Sequence, residues 1–128
     1  MTKLFIAIIL LLNLNPVPIQ TICYEARGES LKGQWAVASV IRQRAEERNK
    51  PFKAICLQPR QFSCFNTPKR QKLRLKALTR AYGAWLVSGF ARLDANLYYN
   101  PAKCSPYWAK IPRVKEVGII GNHKFMKE

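Results

Sequence analysis

The feature that most constrains the fold is a long segment, from Leu31 to about Arg48, in which apolar residues recur at the spacing of an α-helix. The face that they form contains Trp35, Ala38, Ile41 and Ala45, widened by Val37 and Val40. Ser30 supplies a hydroxyl that can cap the first turn, and Asn49 with Pro51 closes the pattern. We therefore expect a largely buried central helix that supports the rest of the domain.

Two further helices are predicted on either side of a loop. Residues 51–57 form one or two helical turns. A longer helix starts at Thr67-Pro68, where a hydroxyl cap precedes a proline, and runs to about Ser88, with Gly89 as its stop. The exposed face of this helix carries basic residues, namely Lys69, Lys72, Lys76 and Arg80. That face is either a solvated surface or a docking surface for an anionic polymer.

The chain is expected to be one domain, because it has 128 residues and 48% of them are hydrophobic. Short extended pieces are predicted at residues 97–99 and 124–126, and several prolines argue against long elements in this part. The fold class is therefore predicted as mainly α (α+β), a compact single domain with short β elements near the C-terminus.

The N-terminal segment is predicted to direct export. Lys3 precedes an unbroken apolar run, residues 4–12, that is too short to span a bilayer, which takes about 20 residues. We interpret residues 1–20 as a signal peptide or membrane-targeting segment and residues 21–128 as the functional domain, located in the periplasm, the cell envelope or outside the cell. No small-x-small triplet precedes Thr21, so cleavage is left open.

The four cysteines suit disulfides in an oxidising compartment. Four cysteines allow three pairings. Cys56 and Cys64 flank a proline-containing loop and are the favoured pair, which would leave Cys23 with Cys104. A zinc site is not expected, because the chain has no C-x-x-C pair and a single histidine.

The formal charge of +15 favours polyanionic partners through long-range attraction. Charge alone does not distinguish an anionic wall polymer from nucleic acid. A cationic binding module without catalytic activity is therefore one class of function that the composition allows.

Two of the seven acidic residues, Glu25 and Glu29, lie four apart among apolar side chains. Desolvation there would raise the pKa of a carboxyl group and keep it protonated, as a general acid requires. Gly28 predicts a helix end between them, with Glu25 as the last group of a short helix beside a cleft. From spacing alone, a structural Glu25 that caps a helix or pairs with a nearby arginine (Arg27, Arg42 or Arg44) is the more frequent case.

Four motifs in this order resemble the SleB/CwlJ family of bacterial cell-wall hydrolases, found also among phage lysis and envelope enzymes. They are Glu25-Ala26-Arg27-Gly28-Glu29, Gly33-Gln34-Trp35-Ala36-Val37-Ala38, Gln61-Phe62-Ser63-Cys64 and Ile120-Gly121-Asn122-His123-Lys124-Phe125. The resemblance covers residues 22–125. It implies a lysozyme-like fold, cleavage of the MurNAc-GlcNAc glycan strand of peptidoglycan, and a catalytic role for Glu25, which falls on the first glutamate of the motif.

The resemblance further implies a lytic transglycosylase, which needs one carboxyl group and leaves 1,6-anhydro ends; a muramidase that uses water is the alternative. Glu29 and Asp94 are the only plausible second carboxylates, and Glu29 is expected to hold the loop by accepting backbone N–H groups.

The residues expected to bind substrate are Glu29, Gln61, Phe62, Ser63, Tyr98 and Tyr99. His123 is more often an anchor than a catalyst. Expected partners are peptidoglycan and anionic wall polymers, with no cofactor and no nucleic acid, for a monomer.

Overall fold

The computed structural model describes residues 2–4, 17–26, 28–58 and 74–128. The elements in these ranges are α1 (Val17–Glu25), α2 (Leu31–Arg48), α3 (Phe52–Leu57), α4 (Leu75–Phe90), β1 (Leu97–Tyr99), a 3-10 turn (Tyr107–Lys110), β2 (Lys115–Ile120) and β3 (His123–Lys127). Residues 2–4 are also helical. The predicted fold class is confirmed, since helices dominate and a small sheet lies near the C-terminus.

Helix α2 is the central element, as the apolar periodicity predicted. It packs against α1, α3, α4 and the sheet. The Ser30 side chain accepts a hydrogen bond from the backbone N–H of Gly33 at 3.2 Å, so the predicted N-cap is confirmed. Asn49 ends the helix in the left-handed conformation, with φ 49°, and its N–H bonds to the last carbonyl groups.

Helix α4 extends past the predicted stop. It continues through Gly89 to Phe90, because a glycine inside a helix costs only about 1 kcal/mol and the N–H of Ala91 still reaches the carbonyl of Val87 at 2.9 Å. Among the described residues this helix begins at Leu75. The predicted start at Thr67-Pro68 lies outside them.

The sheet is antiparallel with strand order β1-β3-β2. Strand β2 was not predicted, because most of its side chains are exposed and a β-bulge between Glu116 and Gly118 breaks the alternation. It forms by pairing with β3 across a tight turn at Gly121-Asn122, where Gly121 has φ +59°.

Both predicted disulfide pairings are wrong. Cys23 and Cys56 are thiols, and the Cys23 sulfur lies 3.5 Å from the carbonyl oxygen of Ala77 in α4. Cys23 is buried in the core next to α4. Cys104 is disulfide-bonded, and Cys64 lies outside the described residues.

The N-terminal prediction is only partly covered by the described ranges. Residues 5–16 lie outside them, so a targeting role for residues 1–20 stays a prediction. Within the described ranges, no helix has both the length and the hydropathy that crossing a membrane requires.

Candidate active site

Glu25 is the last residue of α1, as predicted. The helix is anchored by Ile19, Ile22 and Cys23, which bury one face against α2, α3 and α4. The chain then turns sharply at Gly28, which has φ +80°, a conformation that glycine adopts without strain. The carboxyl group of Glu25 is thus fixed at the rim of the core, half-buried, by packing on one side and a chain reversal on the other.

The environment of Glu25 favours its protonated form. Burial raises its pKa, and this effect outweighs a hydrogen bond from Tyr98 and the positive charge of Arg44, which both lower the pKa. The Tyr98 hydroxyl donates to Oε2 of Glu25 at 2.8 Å. A carboxyl group that is held in one orientation and ionises late is suited to deliver a proton.

Tyr98 contacts Glu25 from the buried side, within the core. Only 3% of Tyr98 is exposed, and burial together with the charge of Glu25 raises the pKa of its hydroxyl well above the usual range. The hydroxyl therefore remains a hydrogen-bond donor. Tyr98 was predicted to bind substrate; its burial leaves it better placed to orient Glu25 than to contact a sugar.

The positive charge of Arg44 lowers the pKa of both Glu25 and Tyr98. Arg44 lies on the buried side of α2. It is 2% exposed, and its Nε donates to the carbonyl oxygen of Asn96 at 2.6 Å. Burial lowers the pKa of Arg44 to about 10, which still leaves it charged at neutral pH. Sequence reasoning named Arg44 only as a salt-bridge partner; an arginine between Val40, Ile41 and Ala45 on an apolar face was the available signal.

Glu29 fastens the start of α2 to the turn between β2 and β3. Its Oε1 accepts a hydrogen bond from the backbone N–H of Asn122 at 3.2 Å, which agrees with the expected loop-holding role. Gly33 and Gly121 leave room for its side chain, since a Cβ atom at either position would press on Glu29. Glu29 is 8% exposed, so little of it is available to a substrate, and the predicted substrate contact stays a prediction.

His123 links Glu29 with Tyr98. Its ring meets the Tyr98 ring edge-on, with centroids 5.1 Å apart, and its Nδ1 lies 3.4 Å from Oε1 of Glu29 without a hydrogen bond to any described group. Burial lowers the pKa of His123 more than the charge of Glu29 raises it, and this favours the neutral imidazole. His123 therefore supports Tyr98 by ring packing.

Tyr99, another predicted substrate residue, is not part of this cluster. Tyr99 follows Tyr98 on β1 and so points to the opposite face of the sheet, where its ring packs edge-on against Trp108 at 5.5 Å. The predicted loop residues Gln61, Phe62 and Ser63 lie outside the described residues. In the part of the chain that is described, no group of three His, Cys, Asp or Glu residues could hold a metal ion.

A family model described as Cell Wall Hydrolase matches residues 28–126, most of the chain. The protein therefore belongs to the cell wall hydrolase family, which confirms the resemblance seen in the four motifs. The match starts just after Glu25, so the assignment of this residue depends on its geometry and on the N-terminal motif. No curated protein sequence is significantly similar to the chain.

Two solved structures share the fold. One is the catalytic domain of the Bacillus cereus SleB protein, and the other is the catalytic domain of the germination-specific lytic transglycosylase SleB from Bacillus anthracis. Each is 24% identical to this chain, with a TM-score of 0.65 over 87% of it and over 87% and 91% of their own lengths, respectively. The described elements therefore share the fold of these two SleB domains.

Proposed function

We propose that this protein cleaves the glycan strand of peptidoglycan with Glu25 as its general acid, acting in the periplasm, the cell envelope or outside the cell. The observation that carries the proposal is the half-buried carboxyl group of Glu25, whose pKa is raised by burial and whose Oε2 is held by the Tyr98 hydroxyl at 2.8 Å. A protonated acid in a fixed orientation can donate to the glycosidic oxygen as the bond to C1 of N-acetylmuramic acid breaks.

The other carboxylates of the chain are already engaged. Glu29 accepts from the Asn122 N–H, and Asp94 lies 3.0 Å from the ammonium group of Lys127. The remaining pairs, with N–O distances of 2.7–3.1 Å, are Glu46 with Arg92, Glu47 with Lys127, Glu116 with Lys124, and Glu128 with Arg113. Among the described residues, Glu25 is the only carboxylate that has neither a salt bridge nor a hydrogen bond from a backbone N–H. This supports a mechanism that uses one carboxyl group.

A lytic transglycosylase meets this requirement. In the first half of the reaction Glu25 gives its proton to the leaving oxygen, and positive charge develops at C1. In the second half the Glu25 carboxylate takes the proton from the C6 hydroxyl of the same sugar, and O6 bonds to C1 to close a 1,6-anhydro ring. The acid is regenerated and no water is consumed. A muramidase would instead activate water, and the masses of the released chain ends separate the two routes.

Substitution of Glu25 by Gln tests the assignment of the acid. The amide still accepts a hydrogen bond from Tyr98, but it has no proton to transfer, so release of muropeptides from purified peptidoglycan should fall by about 10²–10⁴-fold, the usual contribution of general acid–base catalysis. Glu116→Gln removes an exposed carboxylate on β2 and serves as the control, with activity near wild type. Retention of activity by Glu25→Gln would exclude Glu25 as the acid.

The alternative from another class is a cationic module that binds anionic wall polymer or nucleic acid, with a structural Glu25. Digestion of sacculi with the wild-type protein distinguishes the two functions. A binding module releases no soluble muropeptides, whereas the proposed enzyme does.

A further inference from the structure

A groove separate from Glu25 lies between the C-terminal halves of α2 and α4. Its volume is about 430 Å³, and it is lined mainly by Arg42, Glu46, Lys50, Ser88, Phe90 and Arg92, which we call the basic groove. Residues two apart on an α-helix point about 200° apart, so Arg42 faces away from the side of α2 on which Arg44 approaches Glu25. The basic groove therefore does not share its lining with the candidate active site.

Arg42 is fixed in this groove by neutral partners. Its guanidinium lies 3.8 Å from the centre of the Trp85 ring, Nε donates to the Ser88 hydroxyl at 2.7 Å, and Nη2 donates to the Trp85 carbonyl at 2.9 Å. Such contacts orient a cation without neutralising it. The pKa of Arg42 is lowered by burial and, next, by the positive charge of Arg92, so the two guanidinium groups repel each other across the groove.

Positive charge exceeds negative charge in the lining. The cations are Arg42, Lys50 and Arg92, and the one lining carboxylate is Glu46, which binds Arg92 at 2.7 Å and has 66% of its side chain exposed. Lys50 forms no ion pair with any described residue. An anion in the basic groove would relieve the repulsion between the two arginines and form charge-assisted hydrogen bonds with donors that are already in place.

Phe90 adds an apolar edge to this charged site. Its side chain is 94% exposed at the end of α4, although a phenylalanine is usually buried. A ligand that combines an oxyanion with carbon-rich surface, such as a segment of wall polymer, would contact the ring and the cations together.

We propose that the basic groove is a second, non-catalytic binding site for oxyanion groups of the cell wall, which holds the enzyme on its polymer while Glu25 acts. The oxyanion is a carboxylate of the peptide stems or a phosphate of an attached polymer. The inference rests on the proposed wall substrate. Its test measures binding rather than cleavage, so a failure of the Glu25 mechanism and a failure of this site give different results.

The test compares two double variants in the Glu25→Gln background, which limits digestion. Lys50→Gln with Arg92→Gln removes two charges from the basic groove, and Lys76→Gln with Arg80→Gln removes two charges from the exposed face of α4. Co-sedimentation with purified sacculi gives the dissociation constant. We expect a loss of affinity of about 10-fold for the groove variant, which loses charge-assisted contacts, and about 2-fold for the control, which loses only long-range attraction.

Equal affinities of the two variants would overturn the proposal, because the loss of affinity would then depend on net charge and not on the basic groove. Should Arg92→Gln unfold the protein, Lys50→Gln against Lys76→Gln repeats the comparison with single charges. Sacculi treated with hydrofluoric acid to remove phosphate polymers identify the ligand. A groove-specific loss that persists on them indicates stem carboxylates, and one confined to untreated sacculi indicates phosphate.

Discussion

At the scale of single residues, the proton affinity of Glu25 depends on a balance between burial and two partners that stabilise its carboxylate. Burial raises the pKa of this carboxyl, and the hydrogen bond from Tyr98 and the charge of Arg44 reduce the rise without cancelling it. The native state therefore binds the Glu25 proton more tightly than the unfolded chain does. It follows that ionisation of Glu25 costs native stability, and this cost grows as the pH rises through the native pKa.

The stability of Glu25→Gln tests this balance separately from catalysis. At pH 7 the uncharged amide avoids the cost of burying a carboxylate, so we expect the variant to melt at the same temperature as wild type or higher. The difference should shrink as the pH falls from 7 to about 4 and vanish below that, where Glu25 is protonated in both states. Thermal unfolding across this pH range is the measurement. A variant that is clearly less stable than wild type at pH 7 would contradict the raised pKa.

Tyr98→Phe tests the positioning role of the hydroxyl. Its hydrogen bond lowers the pKa of Glu25, so its loss should move the alkaline limb of the pH–activity profile, where Glu25 loses its proton, to higher pH. We expect activity at the optimum to drop about 10-fold, because the carboxyl group loses its fixed orientation. Tyr107→Phe, at a residue that is 83% exposed, is the control. If activity fell but the alkaline limb of the pH–activity profile did not move, Tyr98 would contribute packing only.

Sequence analysis singled out Glu25 as the candidate acid but did not predict the groups that surround it. Apolar surroundings and the helix-ending Gly28 were enough to predict a late-ionising carboxyl at a helix end. The partner hydroxyl of Tyr98 is 73 positions away, and local periodicity cannot pair two groups at that separation. Arg44 was missed as part of the site for the same reason, since its bond to Asn96 spans 52 positions.

At the scale of elements, Glu29 joins α2 to the β2–β3 turn, and this contact needs a glycine at position 121. Gly121 has a positive φ, and a Cβ atom there would collide with Oε2 of Glu29. Gly121→Ala is expected to destabilise the protein by about 1–3 kcal/mol, since left-handed strain costs roughly 1–2 kcal/mol and the Glu29 side chain must also move.

Gly83→Ala is the matched control for this prediction. Gly83 lies within α4 with open space beside it, so alanine should stabilise the helix by up to about 1 kcal/mol. Urea denaturation of both variants checks the pair of expectations. If Gly121→Ala were as stable as Gly83→Ala, the β2–β3 turn would not require glycine at position 121.

The elements that sequence analysis predicted best are those with local signals. Helix α2 has a cap at Ser30, a left-handed end at Asn49 and an unbroken apolar face, and its bounds agree with the prediction. Strand β2 has no comparable signal, because its pairing with β3 supplies the stabilisation that its own alternation lacks. The disulfide pairings failed because spacing along the chain does not report the direction in which Cys23 and Cys56 point.

At the scale of the whole molecule, the order of the four motifs carried more functional information than composition did. The charge of +15 was compatible with nucleic acid or wall polymer, and membership of the cell wall hydrolase family favours the wall. The structure adds that one carboxyl group stands apart from the salt bridges that engage most of the others. The proposed mechanism, in which Glu25 alone serves as acid and then as base, is compatible with this arrangement.

Digestion of purified peptidoglycan in ¹⁸O-labelled water, followed by mass spectrometry of the released ends, tests this central claim most directly. We predict 1,6-anhydro ends without ¹⁸O from the wild-type protein, and a release that is about 10²–10⁴-fold lower from Glu25→Gln. Reducing ends that carry ¹⁸O would contradict the single-carboxyl mechanism.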